Sequence, residues 1–204
     1  MSFSTFFSKL QESPWYYDFL SPIINSIDND STLLDIGTGS GKMLQLLFEK
    51  KQVTGVGVDT SASMLEEAKK KLQNTKFLLK QIDAGKDYPF KNNSFDYVTI
   101  CSVLFNLKNQ KSVDQILSEA LRVLKKGGKI IILTPTGKGN IFKLTKHYFS
   151  IKNKSIYIWY NATKRNGKTW TKEMYLSKYS AKNNLTYKQK EVLNGFAQIE
   201  TIIK

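Results

Sequence analysis

Leu33-Leu34-Asp35-Ile36-Gly37-Thr38-Gly39-Ser40-Gly41-Lys42 is the stretch around which this 204-residue chain organises itself. A short apolar run ends on an acid, and glycine then takes alternate positions. The pattern predicts a buried strand running into a tight turn, with a helix opening at once. Three glycines strip the turn of side chains, so a ligand can lie against bare backbone. Asp35 falls at the carboxyl end of the strand, the edge at which open α/β sheets bind ligands.

Downstream, Met43, Leu44, Leu46, Leu47 and Phe48 mark the helix, and Gln52 to Val58 reads as a second strand ending at Asp59. Asp59 lies twenty residues after Gly39, the distance at which nucleotide-binding folds place an acid for ribose hydroxyls. Thr60-Ser61-Ala62-Ser63 opens the next helix, with Ser63 and Glu66 spaced as a capping box. Lys76 to Ile82 is the third strand, closed by Asp83-Ala84-Gly85, and Phe95 to Cys101 is the fourth. Val113, Ile116, Leu117, Ala120, Leu121 and Leu124 form one stripe of a helix predicted over Ser112 to Lys126. Ser112 and Gln115 suit its start, and Gly127-Gly128 its end. Lys129 to Leu133 is the fifth strand. This alternation predicts a doubly wound, seven-stranded, mostly parallel sheet in the α/β class.

Upstream, residues 13–27 read as a helix broken near Pro22, with Ser13 as cap and Pro14 at the first helical position. Its aromatic block, Trp15, Tyr16, Tyr17 and Phe19, can pack on the core and also roof the ligand pocket. Beyond Pro135, Asn140 to Tyr160 and Lys168 to Asn183 read as helical. Leu185 to Leu193 and Phe196 to Ile203 flank Asn194-Gly195, a strong hairpin signal. One domain is expected: a helical lid (1–29), a ligand-binding core (30–135), a helical insert (136–184) and a terminal β-hairpin (185–204).

Composition narrows the classes. Hydrophobic residues make up 41% of the chain, and no apolar run is long enough to span a bilayer. Met1 to Leu10 lacks the basic-then-apolar pattern of a signal peptide. Cys101 is the only cysteine, so no intrachain disulfide forms, which suits a reducing, cytoplasmic setting. One cysteine and one histidine do not make a structural zinc site. The net charge is +14, and residues 135–204 carry fourteen basic against three acidic side chains. Such a surface can attract nucleic acid, anionic lipid or an acidic substrate, although lysines spread over solvated faces account for it more readily.

These blocks resemble the class I S-adenosylmethionine-dependent methyltransferases, and most of all the small-molecule branch that includes the ubiquinone/menaquinone methyltransferases. Leu33 to Gly41 is similar to the first motif, Val56-Gly57-Val58-Asp59-Thr60-Ser61 with Met64 to the second. Ile82-Asp83-Ala84, Pro89-Phe90 and Ser94-Phe95-Asp96-Tyr97-Val98 are similar to the third and fourth, and Leu121 to Gly128 to the last. The resemblance implies a Rossmann-like fold, S-adenosylmethionine as cofactor and a small-molecule methyl acceptor. It places Asp35, Gly37, Thr38, Gly39 and Gly41 at the methionine part of the cofactor, and Asp59 at the two ribose hydroxyls. Thr60 and Met64 fall beside the ribose or adenine. Asp83 takes the adenine amino group with a backbone contact from Ala84, and Cys101 and Ser102 line the pocket near the reactive methyl.

Departures and rivals bound this reading. A nicotinamide fingerprint requires glycine where Lys42 stands. Many relatives carry histidine in the turn after the fourth strand, where this chain has Phe105-Asn106, so no histidine acid/base acts there. The Asn/Asp-Pro-Pro-aromatic box of amino-methylating nucleic-acid enzymes is absent. The alternatives are an RNA-directed methyltransferase that uses the basic last third, and a non-catalytic S-adenosylmethionine-binding protein. No residue is assigned a catalytic role. Tyr16, Tyr17 and His147 are the candidate bases for a phenol or enol acceptor, His147 reading more readily as a surface residue and Cys101 as pocket lining.

Overall fold

A computed structural model describes residues 3–83 and 87–204. Seven strands form one sheet in the order β3-β2-β1-β4-β5-β7-β6. They are β1 (Thr32–Ile36), β2 (Thr54–Asp59), β3 (Phe77–Gln81), β4 (Phe95–Cys101), β5 (Leu124–Pro135), β6 (Thr186–Val192) and β7 (Ala197–Ile203). β1 to β5 pair in parallel, whereas β7 runs antiparallel to both β5 and β6. The doubly wound, mostly parallel sheet with a closing antiparallel pair is as expected.

Alternation along the strands divides the core between the two faces. Leu33, Ile131 and Leu133 join Trp15, Phe19, Leu44 and Leu47 on the face covered by α2 (Pro14–Ser26) and α3 (Lys42–Lys51). Leu34, Ile36, Val98, Ile100, Ile130 and Ile132 face the other way, against Ile116, Leu117 and Ala120 of α5 (Gln110–Val123). With helices on both faces, the ligand-binding edge is the row of strand carboxyl ends: Asp35, Asp59 and Cys101.

Several boundaries differ from the sequence reading, each for a local reason. The chain begins with α1 (Phe3–Leu10), a short helix that composition did not announce. α2 runs unbroken through Pro22. Proline withholds the donor that Asp18 O would receive, and the Ser21 hydroxyl supplies one at 2.9 Å. Ser13 precedes Pro14 as expected, but its hydroxyl accepts from Ser155 rather than capping the helix. Ser61, not Ser63, caps α4 (Ala62–Leu72), accepting from the Met64 amide at 3.3 Å. Asn109, not Ser112, caps α5. α5 stops at Val123, before Gly127-Gly128, because Leu124 is extended and pairs with Phe95 at a register shift.

The insert holds α6 (Ile141–Tyr148), α7 (Ser155–Glu173) and α8 (Tyr175–Lys182). The hairpin turn after it is left-handed at Leu193, Asn194 and Gly195, the conformation the Asn-Gly pair favours. Trp15 ties the insert to α2: its indole donates to Ser155 Oγ at 2.6 Å, and its amide to Asn153 Oδ1 at 3.2 Å.

Candidate active site

A cavity of about 560 Å³ opens over the carboxyl ends of β1, β2 and β4. Of the residues singled out from sequence, Asp35, Gly37, Thr38, Gly39, Asp59, Thr60, Met64, Asp83, Cys101 and Ser102 line it. Gly41 does not, and Ala84 lies outside the described residues.

The three glycines of the turn have different jobs. At Gly39 a Cβ would meet nothing within 4 Å, so this residue opens the floor of the cavity. At Gly37 a Cβ would stand 2.3 Å from Val103 Cγ2, which brings the turn against the segment after β4. Gly41 precedes α3 at φ +79, and a Cβ there would lie 3.2 Å from Ala68 Cβ and 3.0 Å from Leu72 Cδ1. Its lack of a side chain serves α3–α4 packing, a correction to the reading of the whole turn as ligand cradle.

Two acids frame the floor. Asp59 Oδ2 accepts from the Gly39 amide at 2.8 Å, and its Oδ1 from the Ser61 amide at 2.9 Å. A carboxylate oxygen has two lone pairs, so both retain capacity toward a ligand. Asp35 is only 2% exposed, and Thr99 Oγ1 donates to its Oδ1 at 2.9 Å. Burial pushes its pKa up to about 7.

Burial also pushes the Cys101 thiol up to about 12, so it stays protonated at neutral pH and serves as lining. Ser102 follows it at φ +57, a left-handed conformation uncommon outside glycine, which turns the chain from the strand end into the cavity wall.

The candidate bases separate clearly. His147 sits exposed on α6 and does not line the cavity. Tyr17 is 40% exposed on the outer side of α2, with Lys50 over its ring. Tyr16 does line the cavity, but burial raises its pKa well above the usual value, and its oxygen accepts from Gln11 Nε2 at 2.8 Å. It holds its proton at neutral pH.

Other wall residues belong to no motif of the sequence. Phe7, Gln11 and Leu20 arrive from the first two helices and their junction, Phe105 and Asn106 from the turn after β4, and Trp159 and Thr163 from α7. Trp159 is seated by aromatic contacts, 5.2 Å between centroids to Trp15 and 5.3 Å to Phe19. Gln11 also accepts from the buried Ser40 hydroxyl of the glycine turn, and Glu12 pairs with Lys42 and Lys71. The α1–α2 junction is therefore fastened to the turn it adjoins. No signal in the sequence connects these positions, except that Gln11 and Glu12 precede the aromatic block.

Residues 34–132 match the sequence profile of a methyltransferase domain. The ubiquinone/menaquinone biosynthesis C-methyltransferase UbiE of Desulfotalea psychrophila is 38% identical over 122 residues, 57% of this chain and 47% of that one. The UbiE of Rickettsia bellii is 35% identical over 130 residues, 58% of this chain and 49% of that one. The chain thus spans about half the length of these relatives. Among solved structures, a putative S-adenosyl-L-methionine-dependent methyltransferase of Methanococcus maripaludis superposes with a TM-score of 0.74 at 21% identity, covering 98% of this chain and 91% of that one. A SAM-dependent methyltransferase of Aquifex aeolicus gives 0.69 at 14%, covering 96% of each chain. At these identities the structural likeness speaks to the fold. Sequence and fold point the same way: residues 34–132 match a methyltransferase domain and resemble UbiE, within the fold of those solved S-adenosylmethionine-dependent methyltransferases.

Proposed function

We propose that this protein transfers a methyl group from S-adenosylmethionine to a small, largely apolar acceptor. The observation that carries the proposal is the continuity of the cavity. Carboxylates line it at Asp35, Asp59 and Asp83, and the same cavity is lined by the apolar side chains of Leu20, Phe105, Leu107 and Trp159.

The floor fits the cofactor. Gly39 faces open space, so backbone can meet a ligand there without a side chain between. In this reading Asp35 and the Gly37–Gly39 turn hold the methionine end, Asp59 accepts from the ribose hydroxyls, and Asp83 receives the adenine amino group. Thr60 and Met64 flank the ribose and base, and Cys101 and Ser102 border the reacting centre. When bound, the cofactor supplies an activated sulfonium methyl, open to in-line displacement by a nucleophile.

The chain's own residues supply position and dryness. The lid expected over residues 1–29, described from Phe3 onward, lines the cavity with Tyr16 and Leu20, and α7 of the insert adds Trp159, packed on Trp15 and Phe19 of the same lid. Orientation of two reactants can account for roughly 7–11 kcal/mol of the barrier. With Cys101 and Tyr16 protonated and His147 outside the cavity, none of these three attacks the methyl, and in-line transfer requires no covalent enzyme intermediate.

The test is transfer of labelled methyl from S-adenosylmethionine to a reduced demethylmenaquinone-type ring, the acceptor class named for relatives, with total RNA assayed in parallel. Label in the solvent-extractable product and none in RNA is the expected result. Tight cofactor binding without transfer to any ring compound would leave a binding protein, and label in RNA would assign the acceptor to nucleic acid.

A further inference from the structure

Between Glu119 and Glu173 the chain contains no acidic residue, an interval that includes all of α6 and nearly all of α7. Lys138, Lys143, Lys146, Lys152 and Lys154 gather in one short part of it. The same part carries the most exposed large apolar side chains of the described residues: Phe142 is 87% exposed, Phe149 85% and Ile151 76%. The segment is amphipathic in an unusual sense. Leu144 and Tyr148 of α6 are buried against the protein, and the outward face is also apolar, but rimmed with lysine.

Helical spacing puts Phe142 and Lys146 on one outer stripe, which runs on toward Phe149 and then Ile151 in the following turn. Lys138 is matched by Glu191, and Lys143 lies over the Phe196 ring. Asp18 of α2 is the acid that approaches from behind, near enough to raise the Tyr148 pKa, on the side away from this stripe. Lys146, Lys152 and Lys154 form no ion pair among the described residues.

We infer that α6 and the turn after it dock this protein onto an anionic lipid surface. Phe142, Phe149 and Ile151 enter the boundary between headgroups and acyl chains, while Lys146, Lys152 and Lys154 meet lipid phosphates. Charge complementarity commits the face to a lipid rather than to a protein groove: the apolar tips supply burial, and an acid-free rim supplies attraction. A nucleic acid would use the lysines but leave Ile151 without a role. No described helix is long and apolar enough to cross a membrane, so the contact is interfacial. α7, which follows the docking turn, carries Trp159 in the cavity wall, so docking would set that wall beside the lipid phase. Vesicle binding is read without turnover, and the inference therefore stands or falls apart from the acceptor proposed above.

The test is flotation of the full chain with vesicles of phosphatidylcholine, with and without about a third of phosphatidylglycerol. The wild-type protein should float with the anionic vesicles at low salt, lose them as salt rises, and ignore phosphatidylcholine alone. The double variant Phe142→Ser/Phe149→Ser should bind the anionic vesicles about tenfold or more weakly. Its affinity for S-adenosylmethionine should be unchanged, which certifies the fold. The triple variant Lys146→Gln/Lys152→Gln/Lys154→Gln should weaken binding and flatten its salt dependence. Absence of binding at low salt, equal binding to both vesicle types, or a double variant that binds like wild type would each overturn the inference. So would a concentration-dependent dimer that the double variant dissociates, with no vesicle binding, which would give the face to a second copy of this chain.

Discussion

The backbone amide of Gly39 donates to the carboxylate of Asp59 across 2.8 Å. Two residues twenty positions apart, each read separately as part of a cofactor motif, are directly bonded. The acid at the end of β2 holds the glycine turn at the end of β1, and its other oxygen holds the Ser61 amide at the start of α4. Asp59→Ala should therefore do two things. Cofactor affinity should fall, because each hydrogen bond to a charged acceptor contributes about 1.5–3 kcal/mol. The ligand-free protein should also melt earlier, because two backbone donors lose their partner. Calorimetric titration and thermal unfolding of Asp59→Ala check both; unchanged affinity would remove Asp59 from the site.

The glycines should separate by substitution. Gly37→Ala forces a methyl into Val103 at a positive φ and should cost stability, on the order of 1–3 kcal/mol. Val103→Ala in the same chain should recover part of that loss, leaving the backbone strain. Gly39→Ala meets no atom, so its cost should be the backbone strain alone, about 1 kcal/mol, with a larger proportional effect on cofactor affinity. Denaturant unfolding set beside titration tells the two apart.

Asp35 makes the site pH-dependent. Burial raises its pKa to about 7, so the folded state holds a proton that the unfolded state releases near the ordinary value of 3.8. Between those limits the unfolded state binds fewer protons, and this group's contribution to stability falls as pH rises, levelling above about 7. The stability of Asp35→Asn relative to wild type should accordingly increase across that window. Affinity for the cationic cofactor should move the other way, strengthening in the wild-type protein as Asp35 ionises between pH ~6 and ~8, and staying flat in Asp35→Asn. Titrations at several pH values decide it; parallel curves for the two proteins would exclude Asp35 as the charge that senses the ligand.

Gln11 bridges the buried Ser40 hydroxyl and the Tyr16 oxygen. Gln11→Leu should leave the Tyr16 oxygen without its donor and the Ser40 hydroxyl without its acceptor, with only the Lys71 ammonium still donating to Ser40 at 3.5 Å, at about 1–3 kcal/mol per unpaired group. If residues 1–29 close the cavity, cofactor dissociation should also accelerate in stopped-flow measurements, whereas a purely structural role would lower stability and leave the dissociation rate alone. Glu12→Ala, whose carboxylate is itself half-exposed, should cost less, within about 1 kcal/mol.

The sheet and the residues that line the cavity at the strand ends were legible because their signals are local. Leu33 to Gly41, Asp59 and Phe95 to Cys101 state strand ends and turns through period, glycine and acid placement, which short-range sterics read directly. Helix boundaries were less legible. The Ser63 and Ser112 capping boxes lost to Ser61 and Asn109, since several adjacent residues could cap and only the path of the chain out of the preceding strand chooses among them. Pro22 stayed within a helix because a neighbouring serine hydroxyl replaced its missing donor. What only the tertiary structure decided is the rest of the cavity wall. Trp159 is brought against Trp15 and Phe19 by a helix packing on aromatic rings, and Gln11 meets Ser40 by a hydrogen bond between elements with no shared period or spacing. A strand and its turn are properties of neighbours along the chain, so sequence determines them. A cavity wall is a property of neighbours in space, and it exists only once burial has brought distant apolar faces into contact.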